Sequence, residues 1–105
     1  METKIKSLNE FDNLIKTNKY VLIDFYASWC GPCKMLAPII ENLSKQFQNI
    51  TIVKIDVDSA TELAQSQQIM SIPTLQLYAD GIKVFQHVGF IDEHKLLANI
   101  KRLII

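Results

Sequence analysis

The chain has 105 residues, 49% of them hydrophobic, which suits one domain spanning 1–105 with a full core and leaves no room for two. Formal net charge is zero and no block of like charge occurs, which argues against nucleic acid or an anionic membrane as the main partner, because both call for a basic face. No apolar run is long enough to span a bilayer, and the opening Met1-Glu2-Thr3-Lys4-Ile5-Lys6 carries no apolar signal core, so the expected location is cytoplasmic.

Ile5, alone between lysines, marks a short edge strand. Ser7-Leu8-Asn9-Glu10 reads as a capping box, and Leu8, Phe11, Leu14 and Ile15 then share one helical face. Thr17-Asn18-Lys19 ends that helix. Tyr20 to Ala27 is too continuously apolar for a half-exposed strand and reads as a central strand covered on both faces. Met35, Leu36, Ile39, Ile40, Leu43 and Phe47 recur at helical spacing, with Pro38 inside the helix as a source of a kink. Ile50 to Val57 is a second apolar strand. Ser59-Ala60-Thr61-Glu62 predicts a second capping box, opening a short helix through Leu63 and Ala64.

Ile69 to Pro73 is a loop, extended at Ile72 by the proline after it. Thr74 to Ala79 and Ile82 to Val88 flank Asp80-Gly81, a strong hairpin signal. Gly89 breaks the return strand, as at a bulge or a close approach. Asp92 caps a last helix whose apolar face is Leu96, Leu97, Ile100, Leu103 and Ile104, with Lys101 and Arg102 at its negative end. Strands alternating with helices define an α/β domain of parallel strands with an added antiparallel hairpin.

The two cysteines, Cys30 and Cys33, stand where the first long strand hands over to the long helix. In a reducing cytosol a C-x-x-C pair is more often chemistry than a staple. A helix starting near Gly31 places Cys30 at its positive end, where thiolate is favoured, and Pro32 in the first turn, where its missing N–H costs nothing. Cys33 lies on the same side, within bridging reach. Cys30 is then the more exposed, attacking thiol, and Cys33 the buried, resolving one. Half of a zinc site is a poor alternative: there is no second Cys pair, and His87 and His94 read as surface residues. Two structural cysteines, with the domain acting as a binding module, is the other.

Asp24 and Lys54 each interrupt an apolar strand. A buried carboxylate is desolvated and can serve as a general acid or base, or it can simply be satisfied by neighbouring groups. Lys54 either pairs with Asp24 or snorkels to solvent. Trp29, beside the thiols, reads as a half-exposed contact residue rather than core. Met35 and Met70 are core filler, or in Met70's case part of a partner surface.

These residues give the chain a resemblance to the thioredoxin family. Trp29-Cys30-Gly31-Pro32-Cys33-Lys34, the preceding Asp24-Phe25, the downstream Ile72-Pro73-Thr74 and the Asp80-Gly81 hairpin stand in that family's order and spacing, over essentially the whole chain. The resemblance implies a central mixed sheet, parallel strands plus a C-terminal antiparallel hairpin, with helices on both faces. It implies a protein-disulfide reductase working through Cys30 and Cys33. It also implies Asp24 as the proton carrier for the resolving thiol, Lys54 as its neighbour and Pro73 in the cis form. Trp29, Gly31, Pro32, Ile72, Pro73, Thr74 and Gly89 match the surface that holds an extended partner segment. Implied partners are a thioredoxin reductase and disulfide-bearing peroxidases and reductases, with the protein a monomer and with no resident cofactor or metal. Gly-Pro between the cysteines, where related isomerases and oxidases carry histidine, fits a reductant. Tyr26, Ser28, Gln68 and Ser71 depart from the family's commonest residues.

Overall fold

A computed structural model describes residues 2–104. In chain order the elements are β1 (Glu2–Lys4), α1 (Leu8–Thr17), β2 (Tyr20–Tyr26), α2 (Gly31–Gln46) and β3 (Ile50–Asp56). They are followed by α3 (Thr61–Ser66), β4 (Thr74–Ala79), β5 (Ile82–Val88) and α4 (Glu93–Leu103). One five-stranded sheet runs β1-β3-β2-β4-β5. β1 and β2 pair parallel to β3, while β4 is antiparallel to both β2 and β5. β2 therefore lies at the centre, as its apolar run, interrupted only by Asp24, leads one to expect.

Alternation along β2 divides the core in two. Tyr20 and Leu22 pack with Leu36, Ile40 and Leu43 of α2 and with Leu96 and Ile100 of α4. Val21, Ile23 and Phe25 pack on the other face with Phe11 of α1 and Leu63 of α3. Asp24 and Tyr26 continue the α2 side of β2, and Lys54 and Asp56 continue the same side of β3 beyond Ile50 and Ile52.

The antiparallel join of β4 to β2 is a finding beyond the hairpin. α3 has six residues, about 9 Å of helix, against strands of about 23 Å. It cannot carry the chain back along the sheet, so β4 starts at the end where β3 finishes, with Thr74 opposite Phe25. The first strand also falls slightly earlier than Ile5. Ile5 follows it directly, is buried, and donates its N–H to the Lys54 carbonyl.

The capping box at Ser7 and Glu10 forms in both directions. The one expected at Ser59 does not. Ala60 is the N-cap of α3 and makes no side-chain cap. The Asp56 carboxylate turns the chain first, accepting the N–H groups of Asp58 and Ser59, which spends Ser59 one residue too early. The hairpin turn is as expected, with positive φ at Asp80 (52°) and Gly81 (81°), the backbone of a type I′ turn. α2 stays one 16-residue helix through Pro38.

Candidate functional site

The head of α2 is the site's starting point. β2 ends at Tyr26, and the Cys30 N–H folds back to the Ala27 carbonyl at 3.2 Å. Cys30 is the N-cap of α2, in extended backbone conformation, and its Sγ accepts the Cys33 N–H at 3.2 Å. The sulfur thus takes the place usually held by a serine or aspartate oxygen, beside donors that have no partner within the helix. Gly31 and Pro32 form the exposed first two helical positions, and a side chain at Gly31 would meet nothing within 4 Å. Cys30 and Cys33 are joined as a disulfide, their Cα atoms 5.2 Å apart.

One expectation fails here. Cys30 is no more exposed than Cys33; the two are 4% and 6% accessible. In the disulfide each sulfur covers the other, and Ala27, Tyr26, Val57 and Ile72 close around the pair.

On the same face of the sheet, Asp24 and Lys54 are register partners on adjacent strands. The Lys54 Nζ lies 3.7 Å from Asp24 Oδ2, with side-chain accessibilities of 14% and 2%. Lys54 therefore pairs with the carboxylate instead of running out to solvent. Burial disfavours a charged carboxylate, and a nearby ammonium opposes that cost.

The third segment is the loop before β4. The Ile72–Pro73 bond is cis, and the Pro73 carbonyl accepts the Gly89 N–H at 2.7 Å. Gly89 has φ +95°, which accounts for glycine there. Neither a close approach nor a bulge explains it: a Cβ at Gly89 would meet nothing within 4 Å, and the irregular register of this strand pair lies between Leu77 and Tyr78. Thr74 differs from its expected place on the partner surface. Its side chain is buried and donates to the Ser71 carbonyl at 2.6 Å, fixing the loop from within.

Trp29 is 68% exposed, more than expected, yet it is tethered: its indole N–H donates to Asp58 Oδ2 at 2.7 Å. Trp29, Val57, Ile69, Met70, Ser71 and Ile72 line an apolar hollow of about 190 Å³ beside the disulfide. Met70 is 95% exposed and Met35 is exposed too, so neither is core filler. Asp58 was invisible to sequence reasoning, since its only signal is a place just after β3. Pro32, Gly31, Trp29, Ile72, Pro73 and Gly89 fall around one end of the molecule. Pro73 and Thr74 are its buried members, and Lys54 and Asp24 lie on the same sheet face as Tyr26, which packs against the disulfide. His94 is exposed, His87 contacts the Phe90 carbonyl, and no metal-binding cluster occurs among the described residues. No helix among them is long and apolar enough to cross a membrane.

A disulfide at a helix head, beside an exposed apolar hollow, has the chemistry that thiol–disulfide exchange requires. A sequence model of the thioredoxin family matches residues 2–102. A thioredoxin from Mycoplasmoides gallisepticum is 45% identical over 92 residues, covering 88% of this chain and 92% of that protein. A Plasmodium falciparum thioredoxin structure superposes with TM-score 0.88 at 35% identity, covering 97% and 99% of the two chains. A chain solved in work on thiol resolution in yeast mitochondrial 1-Cys peroxiredoxin via the glutathione and thioredoxin systems gives TM-score 0.90 at 39% identity, covering 96% and 94%. The chain belongs to the thioredoxin family. Its activity is that of a protein-disulfide oxidoreductase, with Cys30 and Cys33 as the redox pair.

Proposed function

We propose that this protein is a cytoplasmic, monomeric, single-domain electron carrier that reduces disulfides in other proteins and is recharged by a thioredoxin reductase. In the reduced protein the Cys30 thiolate attacks one sulfur of a partner disulfide. The S–S bond breaks, a mixed disulfide forms, and the partner's other sulfur leaves as thiolate. Cys33 gives its proton to Asp24 and attacks Cys30 Sγ. This releases the second partner thiolate and leaves Cys30–Cys33 oxidised, two electrons having passed to the partner. Lys54 holds Asp24 in its working charge state. The reductase returns two electrons and resets the dithiol.

Trp29, Gly31, Pro32, Ile72, Pro73 and Gly89 receive the partner as an extended segment, with Thr74 bracing the loop from inside. Met70 and the apolar hollow extend that surface. Peroxidases and reductases that form a disulfide in each turnover are the natural partners, and the yeast peroxiredoxin work that yielded a similar structure supports that class. A two-cysteine chain whose cysteines form the working pair suits the reducing cytoplasm.

The observation that carries this reading is the Cys33 N–H donated to Cys30 Sγ. It puts the first sulfur, and not the second, where developing negative charge is stabilised. The direct test is insulin reduction with dithiothreitol as electron source, followed by turbidity. Precipitation well ahead of dithiothreitol alone is expected. No acceleration contradicts the reading.

A further inference from the structure

Tyr26 has no part in the exchange steps above, and it stands where the family commonly has tryptophan. Its ring lies beneath the Lys54 ammonium, 4.6 Å from Nζ to the ring centroid. The same ammonium is 3.7 Å from Asp24 Oδ2. Lys54 and Tyr26 also form part of the wall of a separate pocket of about 210 Å³, shared with Lys4, Lys6 and Asp56. The lysine therefore has two directions open to it. It can sit over the ring against Asp24, or it can swing into the pocket toward water and the Asp56 carboxylate.

The face of an aromatic ring carries negative charge density and attracts a cation, most strongly where water is excluded. We propose that Tyr26 is a positioning residue: its ring face holds the Lys54 ammonium against Asp24, and so sets how readily Asp24 takes and gives its proton. This deepens the reading of Asp24 as the proton carrier and rests on it.

Among the described residues, charged and titratable groups reach Asp24 from several elements. β3 supplies Lys54 and, further along, Asp56; β2 supplies Tyr26; Lys4 and Lys6 stand across the pocket. β4 offers Leu75 at the paired position, and the α2 cysteines are tied in the disulfide. Lys54 is in salt-bridge range of Asp24, and the ring faces its ammonium directly.

The test follows the carboxyl carbon of Asp24 by NMR against pH in the oxidised protein. Moving the ammonium away makes the carboxylate easier to protonate, so the midpoint rises. Tyr26→Leu should raise it by about half a pH unit, the worth of one cation–ring contact. Tyr26→Phe, which keeps the ring, should leave it unchanged, and Lys54→Met should raise it at least as far as Tyr26→Leu. Phenylalanines with one, two and three ring fluorines at position 26 keep the packing while draining the ring face. The midpoint should climb with each fluorine, which covers the case of a Leu variant that does not fold.

A flat fluorine series alongside a shifted Lys54→Met overturns the proposal. So does a Tyr26→Phe midpoint as high as that of Tyr26→Leu. Failure of the underlying reading looks different: Asp24→Asn would leave the single-turnover rate of mixed-disulfide resolution, and its pH profile, unchanged.

Discussion

Two helices lie side by side on one face of the sheet, and both begin with a side-chain acceptor at the N-cap. α4 begins with Asp92, whose carboxylate takes the Lys95 N–H at 2.9 Å. α2 begins with Cys30, whose sulfur takes the Cys33 N–H at 3.2 Å. The local geometry is the same and the consequence is not. An oxygen at this position only satisfies the helix, whereas a sulfur at this position is also a nucleophile and can form and break a bond. The chain has turned a stabilising device into a reacting one by changing the capping atom and adding a second thiol three residues on.

That contrast can be broken most sharply at Cys30. Serine caps a helix well and cannot exchange disulfides, so Cys30→Ser should reduce insulin no faster than dithiothreitol alone. Its thermal midpoint should stay within a few degrees of the reduced parent. A loss of folding as large as the loss of activity would mean that the thiol is mainly structural. At α4 the opposite split is expected. Asp92→Ala should cost about 1 kcal/mol, read as a fall of several degrees in melting temperature, with insulin reduction retained.

A smaller pair sharpens the rule that a cap is defined by its hydrogen bond and not by its spelling. Ser7→Ala should cost about 1 kcal/mol in a denaturant titration, and Ser59→Ala less than about 0.5 kcal/mol, because only Ser7 caps its helix. The backbone N–H groups of Lys6 and then Ser7, with the Ser7 hydroxyl, hold the Glu10 carboxyl below its ordinary value. A depressed carboxyl stabilises the fold above its unfolded pKa and loses that contribution as pH falls through the lower, folded one. The cost of Ser7→Ala should therefore shrink in acid.

The same distinction explains what was legible in the sequence. The apolar run of β2, the helical spacing of α2 and α4, the Asp80-Gly81 turn and the caps at Ser7 and Asp92 are local signals, and each forms where expected. Ser59-x-x-Glu62 has the same spelling as a capping box and fails because Asp56, outside the four residues, claims the turn first. The antiparallel entry of β4 depends on the length of α3 against the sheet, which no local pattern states. Within the site, the cysteines, Asp24 and the Ile72-Pro73 loop stood out because each is a rare residue type in its setting. Asp58 did not, and Tyr26 stood out only as a departure from the family's commonest residue, since their significance lies in contacts with Trp29 and Lys54 made across the fold. The near-equal burial of the two cysteines was equally hidden, because it comes from Val57 and Ile72, distant in sequence, packing over the disulfide.

The central claim is that the helix head makes Cys30, and not Cys33, the attacking sulfur. Limiting iodoacetamide added to the reduced protein at neutral pH, followed by peptide mass mapping, tests it directly. The label should fall on Cys30 in at least about tenfold excess, since alkylation follows the thiolate and its access. Equal labelling of the two sulfurs, or a preference for Cys33, would contradict the account.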